Sequence, residues 1–308
     1  MKLFRDLIQK KQVPVIITEA FSHTEMHKKS EPFPSGHFYS PVVDRDEIRE
    51  RSQDLWPHSP QPLLGIDFND ESHISILRQD FPQFINEYNY PEAGDDTAQQ
   101  GYFSGNSQFG HLDSRALFVL LRKWRPRKII EIGSGFSTLL MADVNARFLG
   151  ADTEISCIEP FPRDFLKDKS LGIARLVKEK VQGVDMSFFS QLAAGDILFI
   201  DSSHVSKTGS DVNYLYFEVL PRLAKGVKIH VHDIFFPNEY PQHWVLDESR
   251  SWNEMYILRA LLMYSKVFRV IFGSSHANAF HTDALIKALA RPDKIALSGG
   301  SIWIEKTA

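Results

Sequence analysis

Asp201 and His204, in Asp196-Ile197-Leu198-Phe199-Ile200-Asp201-Ser202-Ser203-His204, are of types and at a spacing that suit acid–base or metal chemistry. A second acid closes another apolar run, Lys228-Ile229-His230-Val231-His232-Asp233. Apolar runs this short read as buried strands, and a carboxylate at the end of one is delivered to the carboxyl rim of a sheet, where α/β folds gather ligands. Two carboxylates on adjacent strand ends suit a hard divalent cation, and the histidine beside them stays free as a base. His230 and His232 alternate along one strand, so they share a face, with His232 nearer the rim.

A second constellation lies earlier, in Ile129-Ile130-Glu131-Ile132-Gly133-Ser134-Gly135-Phe136-Ser137-Thr138. Here an apolar strand bearing an acid runs into a turn of small residues and then a helix. Glycines let backbone approach a ligand closely, and a helix N-terminus offers N–H groups. Thr138 stands where a dinucleotide fingerprint needs glycine, and Glu131 would repel a pyrophosphate, so a cationic ligand fits better. In Ile155-Ser156-Cys157-Ile158-Glu159-Pro160 the next strand ends in Glu159, which can accept both hydroxyls of a ribose. Each feature alone also reads as a plain turn or an exposed strand-end acid; their conjunction favours a binding site.

Together these residues resemble the class I S-adenosylmethionine-dependent methyltransferases, over about residues 112–272 and the closing strand near 301–305. The resemblance implies that Glu131, Gly133, Ser134, Gly135 and Ser137 line the cofactor and that Glu159 binds its ribose. It places Val181-Gln182-Gly183 near the adenine, with Gln182 as the contact; the family's usual acid is absent there unless Asp185 supplies it. The Asp201–His204 spacing and Asp233 resemble the metal-dependent O-methyltransferase branch, which includes sugar and macrolide-sugar enzymes. On that likeness Asp201 and Asp233 are Mg²⁺ ligands and His204 is the general base. His232 stands where that branch has Asp or Glu, and as a third ligand it would shift the site toward Mn²⁺, Fe²⁺ or Zn²⁺. The implied reaction is methyl transfer to a hydroxyl oxygen of a small-molecule or glycan acceptor.

The elements that must position these residues follow a strand–helix rhythm from about 112 onward. Strands are expected at Lys128–Ile132, Glu154–Glu159, Leu176–Val181, Asp196–Asp201, Val227–Asp233, Val267–Phe272 and Ser301–Glu305. Helices are expected at Leu112–Trp124, Ser137–Leu149, Phe161–Leu171, Met186–Leu192, Val212–Leu223 and Asn253–Tyr264. That alternation predicts an α/β fold, a doubly wound, mostly parallel seven-stranded sheet covered on both faces. No clear helix separates the last two strands, which predicts an antiparallel edge pair joined by a loop-rich insertion. Residues 1–110 are rich in proline and aromatics and predict an irregular region, with helical patterns at Lys2–Lys10 and at Glu71–Tyr88, the latter interrupted at Pro82, and a loop at Glu92–Gly101. The chain thus divides into a substrate-side or oligomerisation region, 1–110, and a methyltransferase domain, 111–308. Between Ile234 and Glu254, Trp244 and Trp252 serve either an acceptor pocket or the anchoring of a long loop.

Composition excludes several classes. Hydrophobic residues make up 43% of the 308, enough for a large core, and 35 Lys+Arg against 39 Asp+Glu give a formal charge of −4. Neither a basic stripe for nucleic acid nor an acidic tail is present. The single cysteine, Cys157, excludes an intrachain disulfide and a multi-cysteine zinc site. No apolar run approaches the ~20 residues of a membrane span, so a cytoplasmic protein without nucleic-acid or membrane partners is expected, its self-association open. Other readings are a hydroxylase-like metal enzyme on the same fold and a non-catalytic binding module, with a nicotinamide dehydrogenase last.

Overall fold

Ile197, Leu198, Phe199 and Ile200 are consecutive and all 0% exposed, so both faces of their strand are covered. A strand in that condition belongs inside a parallel sheet flanked by helices. The computed structural model describes residues 33–94, 101–289 and 297–308; Lys2–Lys10 and part of the Glu92–Gly101 loop lie outside them. Its strands are β1 (Lys128–Ile132), β2 (Glu154–Ile158), β3 (Ile173–Val177), β4 (Ile197–Ile200), β5 (Lys228–His232), β6 (Phe268–Gly273) and β7 (Ser301–Lys306). They form one seven-stranded sheet in the order β3-β2-β1-β4-β5-β7-β6. β7 alone is antiparallel to its neighbours. Alternation along β1 and β4 sends Ile129, Ile197 and Phe199 into the core under the helices His111–Trp124 and Phe136–Phe148. Ile130, Leu198 and Ile200 enter the opposite core, beside the helix Glu254–Leu262.

The doubly wound sheet matches the expectation, with corrections at its margins. The last two strands form the expected antiparallel pair at the sheet's edge, β7 lying between β5 and the outermost β6. Two helices, Ser274–Phe280 and Thr282–Leu289, occupy part of the presumed loop-rich insertion. Asp113 secures β7, accepting from Gly300 N and Ser301 Oγ at 2.8 and 2.5 Å. β3 lies upstream of its expected place, because Gly172 turns the chain with φ 67° immediately before it and the charged run 178–180 leaves the sheet. Residues 161–171 hold two short 3-10 turns instead of a helix. The outer strand β6 has its carbonyls met by Asn69 Nδ2 at Val270 and Ser72 Oγ at Ile271, so the N-terminal segment covers the sheet edge.

Pro82 does not break its helical run. The turn Ile76–Asp80 widens to a π-turn, with the Phe81 amide donating to the Ile76 carbonyl. The same device appears at Leu215–Val219, where Leu220 donates to Leu215 immediately before Pro221. Proline lacks an amide hydrogen and crowds the carbonyl four residues back; the wider turn relieves both.

The sheet reverses its direction of winding between β1 and β4, and the crevice there depends on a close approach. Gly133, with φ +74°, passes so near the Asp201 carbonyl that a Cβ would lie 1.9 Å from its oxygen. Gly133→Ala should therefore cost about 2–4 kcal/mol of unfolding stability, since both backbone conformation and contact must change. Urea unfolding followed by circular dichroism measures it, and an unchanged midpoint would contradict the contact.

Candidate active site at the switch point

Beside that crevice lies a cleft of about 420 Å³ lined by Gly133, Glu159, Gln182, Asp201, Ser203 and Lys207, among others. The Glu159 carboxylate is oriented by two backbone amides, Ser134 N at 3.2 Å and Phe161 N at 2.8 Å. Gln182 reaches across the cleft and donates to the Gly209 carbonyl at 2.9 Å. Ser134 Oγ is buried within the turn. Gly135 N donates to Thr138 Oγ1, and the Gly133 amide is spent on Ile158 O. Arg163 Nη2 meets Gln108 Oε1 at 2.7 Å, and that oxygen lies close to Gly135, so side chains from two loops overhang the turn.

Glu131 and Ser137 sit beneath the turn, outside the cleft lining. Glu131 is 0% exposed, and its oxygens accept from Ser137 Oγ at 2.6 Å and Thr138 Oγ1 at 2.5 Å, with Cys157 Sγ at 3.4 Å. Burial raises its pKa to about 7, opposed by those hydrogen bonds. Of the residues expected to meet the cofactor, Gly133, Glu159 and Gln182 face the cleft, Ser134 and Gly135 form the turn above it, and Glu131 and Ser137 brace that turn.

At the other end of the cleft the side chains of Asp201, His204 and Asp233 converge. His204 Nε2 stands 3.3 Å from Asp201 Oδ1 and 3.4 Å from Asp233 Oδ2. The two carboxylate oxygens, within 4.8 Å of one another, suit a hard divalent cation, and His204 Nε2 stands beside them. His204 and Asp233 both adopt left-handed backbone, φ 59° and 56°, a conformation costly for residues with side chains and concentrated at functional positions. His232 is not drawn into this group. Its Nε2 donates to the Gln108 carbonyl at 3.3 Å and lies 3.7 Å from Asp233 Oδ1. His230 stacks on Phe199 with ring centroids 3.9 Å apart and has no polar partner; burial holds its pKa well below the usual value.

Sequence reasoning missed Glu254. It is 0% exposed, its Oε2 accepts from His204 Nδ1 and Ser202 Oγ, each at 2.9 Å, and its amide donates to the His204 carbonyl. An acid in the first turn of a helix is so common that its type and place carry no sign of burial. Burial opposes a charged His204, but Asp201 and Glu254 outweigh it and raise its pKa well above the usual value. Burial likewise disfavours ionised Asp201, yet His232 and His204 hold its carboxyl below the usual range. For Asp233 burial prevails and the pKa rises. The loop aromatics are engaged in packing: Trp252 lies against the His204 ring, centroids 4.4 Å apart, and Arg250 stacks between Trp244 and Trp252.

Residues 130–234, which run from β1 to just past Asp233, match the family model described as a methyltransferase domain. A protein of Archaeoglobus fulgidus, described as uncharacterized, is 38% identical over 163 residues, 52% of this chain and 73% of that protein. Among solved structures, the O-methyltransferase TomG from Streptomyces achromogenes, in complex with SAM, is 15% identical; 80% of this chain and 93% of that one are covered, with a TM-score of 0.40. An O-methyltransferase from Bacillus cereus, in complex with SAH, is 14% identical, with 85% and 97% covered and a TM-score of 0.38.

The raised pKa of Glu131 gives stability a definite pH slope. Folded protein keeps this proton up to about 7, whereas the unfolded chain releases it near the ordinary 4.5, so its contribution is present at low pH and lost as pH rises through that window. Glu131→Gln should be more stable relative to wild type at pH 8 than at pH 5. Denaturant midpoints of both proteins at the two pH values check this; a constant difference would show that Glu131 titrates normally.

Proposed function

We infer that this chain, a member of the class I S-adenosylmethionine-dependent methyltransferases, transfers the cofactor's methyl group to a hydroxyl oxygen of a small molecule with the help of a divalent cation. One observation carries the reading: Asp201 lines the cleft shared by Gly133, Glu159 and Gln182 and also meets His204 in the cluster. Binding cleft and acid–base group therefore share a wall.

S-adenosylmethionine, when bound, supplies an electrophilic methyl on a sulfonium. In this reading Glu159 takes the ribose hydroxyls, Gln182 borders the adenine, and the Gly133–Gly135 turn lies along the methionine portion. Asp201 and Asp233 would hold the cation, which supplies charge that lowers the acceptor hydroxyl's pKa and opposes protonation of His204. His204, pinned at Nδ1 by Glu254, presents Nε2 between the two carboxylates and takes the hydroxyl proton. The oxygen's electron pair forms the new C–O bond as the C–S bond breaks in line, leaving a neutral thioether. Glu254 acts as a positioning residue that fixes the tautomer of His204. Neighbouring hydroxyls, as in a sugar or other polyhydroxylated molecule, suit a cation held by only two carboxylates, and that is the acceptor class favoured here. The segment around Trp56 would border the acceptor side, since Trp56 Nε1 donates to the Tyr240 carbonyl in the loop that follows Asp233.

Methyl transfer from labelled S-adenosylmethionine to a panel of sugars, glycosides and phenols tests the reading. Asp233→Asn should lower activity and raise the Mg²⁺ concentration needed to restore it. His204→Ala should retain cofactor affinity and lose about 10²–10⁴ in rate. Glu254→Gln should shift the pH profile of kcat to lower pH, because one of the carboxylates that raise the His204 pKa is neutralised. Full activity in excess EDTA would remove the cation from the scheme, and wild-type turnover in His204→Ala would remove the base.

A further inference from the structure

A second group of metal-ligating side chains lies away from the cleft. Asp70 opens the helix Asp70–Ser75, His276 lies in the helix Ser274–Phe280, and His281 caps the latter. Both imidazoles point Nε2 at one atom: His276 Nε2 and His281 Nε2 each lie 2.8 Å from Asp70 Oδ1. The histidine side chains are only 7% and 12% exposed, whereas Asp70 is 63% exposed, so the convergence point opens to solvent on the carboxylate side. We propose that Asp70, His276 and His281 form a second divalent-metal site, selective for a borderline transition ion such as Zn²⁺ over Mg²⁺, that staples the helix Asp70–Ser75 to the segment following β6.

Donor chemistry argues for this class. Two neutral imidazoles and one carboxylate suit Zn²⁺, Ni²⁺ or Co²⁺, whereas Mg²⁺ prefers an all-oxygen shell. His276 and His281 have four residues between them, within the spacing found for paired zinc histidines. Three protein ligands on an open face leave a position for water. Phe68 stacks on the His276 ring with centroids 4.3 Å apart and planes 6° from parallel, which fixes its direction. The nearby His73 is not a further ligand, because its Nε2 accepts from Gly273 N at 2.8 Å. His276 Nδ1 is buried without a hydrogen-bond partner. The ring therefore lacks the outer hydrogen bond that strengthens most metal histidines, and the ion should be exchangeable.

The full chain, purified without a polyhistidine tag and stripped with EDTA, provides the test. Asp201→Asn/Asp233→Asn removes the carboxylates of the first cluster, so binding at the two places is separable. In that background we expect one equivalent of Zn²⁺ by calorimetry, a Tm that rises with added Zn²⁺ but not Mg²⁺, and a visible Co²⁺ absorption typical of nitrogen ligation. Adding His281→Ala should weaken Zn²⁺ binding by more than about tenfold and abolish the rise in Tm. Asp70→Asn, at an exposed side chain that should leave folding intact, should weaken Zn²⁺ binding in the same direction and decides the matter if His281→Ala unfolds. No Zn²⁺ uptake by the Asp201→Asn/Asp233→Asn protein, or uptake unaffected by Asp70→Asn, would overturn the proposal.

Discussion

The approach of Gly133 to the Asp201 carbonyl joins the two halves of the candidate site. β1 and β4 are neighbours in the sheet, but their exits must also diverge, one into the turn that borders the cleft and the other into the loop that carries His204. A side chain at position 133 would force the exits apart. Asp201 N donates to the Ile132 carbonyl and the Gly133 amide to Ile158, so three strand ends are tied before any ligand is considered. Below that knot, Glu131 binds the hydroxyls of Ser137 and Thr138 and fixes the following helix to the strand. The crevice is thus held by backbone geometry and by one buried acid, while the residues facing the cleft are left for recognition.

Around His204 the dominant theme is charge balance. Asp201, Asp233 and Glu254 surround one imidazole in a region with little water, where unpaired charge is expensive. Asp201 and Glu254 raise the His204 pKa and burial raises that of Asp233, so both groups hold a proton more readily than they would in water. Any cation that enters between Asp201 and Asp233 competes with those protons. Metal affinity and pH are therefore linked through the same few atoms. The left-handed backbone at His204 and Asp233 shows that the fold tolerates local strain to bring these side chains together.

The sheet and its carboxyl-end residues were legible because short apolar runs ending in acids have one dominant structural meaning. Asp201, His204 and Asp233 come together as their strand ends implied. His232 does not join them, since alternation along a strand assigns a face but not the direction of an imidazole nitrogen, and the Gln108 carbonyl from a distant loop claims it. Glu254 was hidden because its burial arises from packing of the helix Glu254–Leu262 over the loop at 202–204, a long-range event without a local pattern. The antiparallel edge pair was legible, but not that β7 is its inner member: Asp113, nearly two hundred residues earlier, holds its start. The helix Ser274–Phe280 escaped because Ser274-Ser275-His276-Ala277-Asn278 has no apolar periodicity, whereas Thr282–Leu289 does carry one, in Leu285, Ala288 and Leu289, that went unused.

The two wide turns ahead of Pro82 and Pro221 have a consequence for how this chain should be aligned with others. A π-turn holds one residue more than the α-turn it replaces, so the faces before and after it are out of phase by about 100°. A relative with an ordinary residue at either proline can close that turn as regular α-helix by losing one residue. The natural place for a single-residue gap is then inside a helix, at 76–80 or 215–219, where gaps are usually forbidden. Alignments that push the gap into the neighbouring loop would misassign every buried position between.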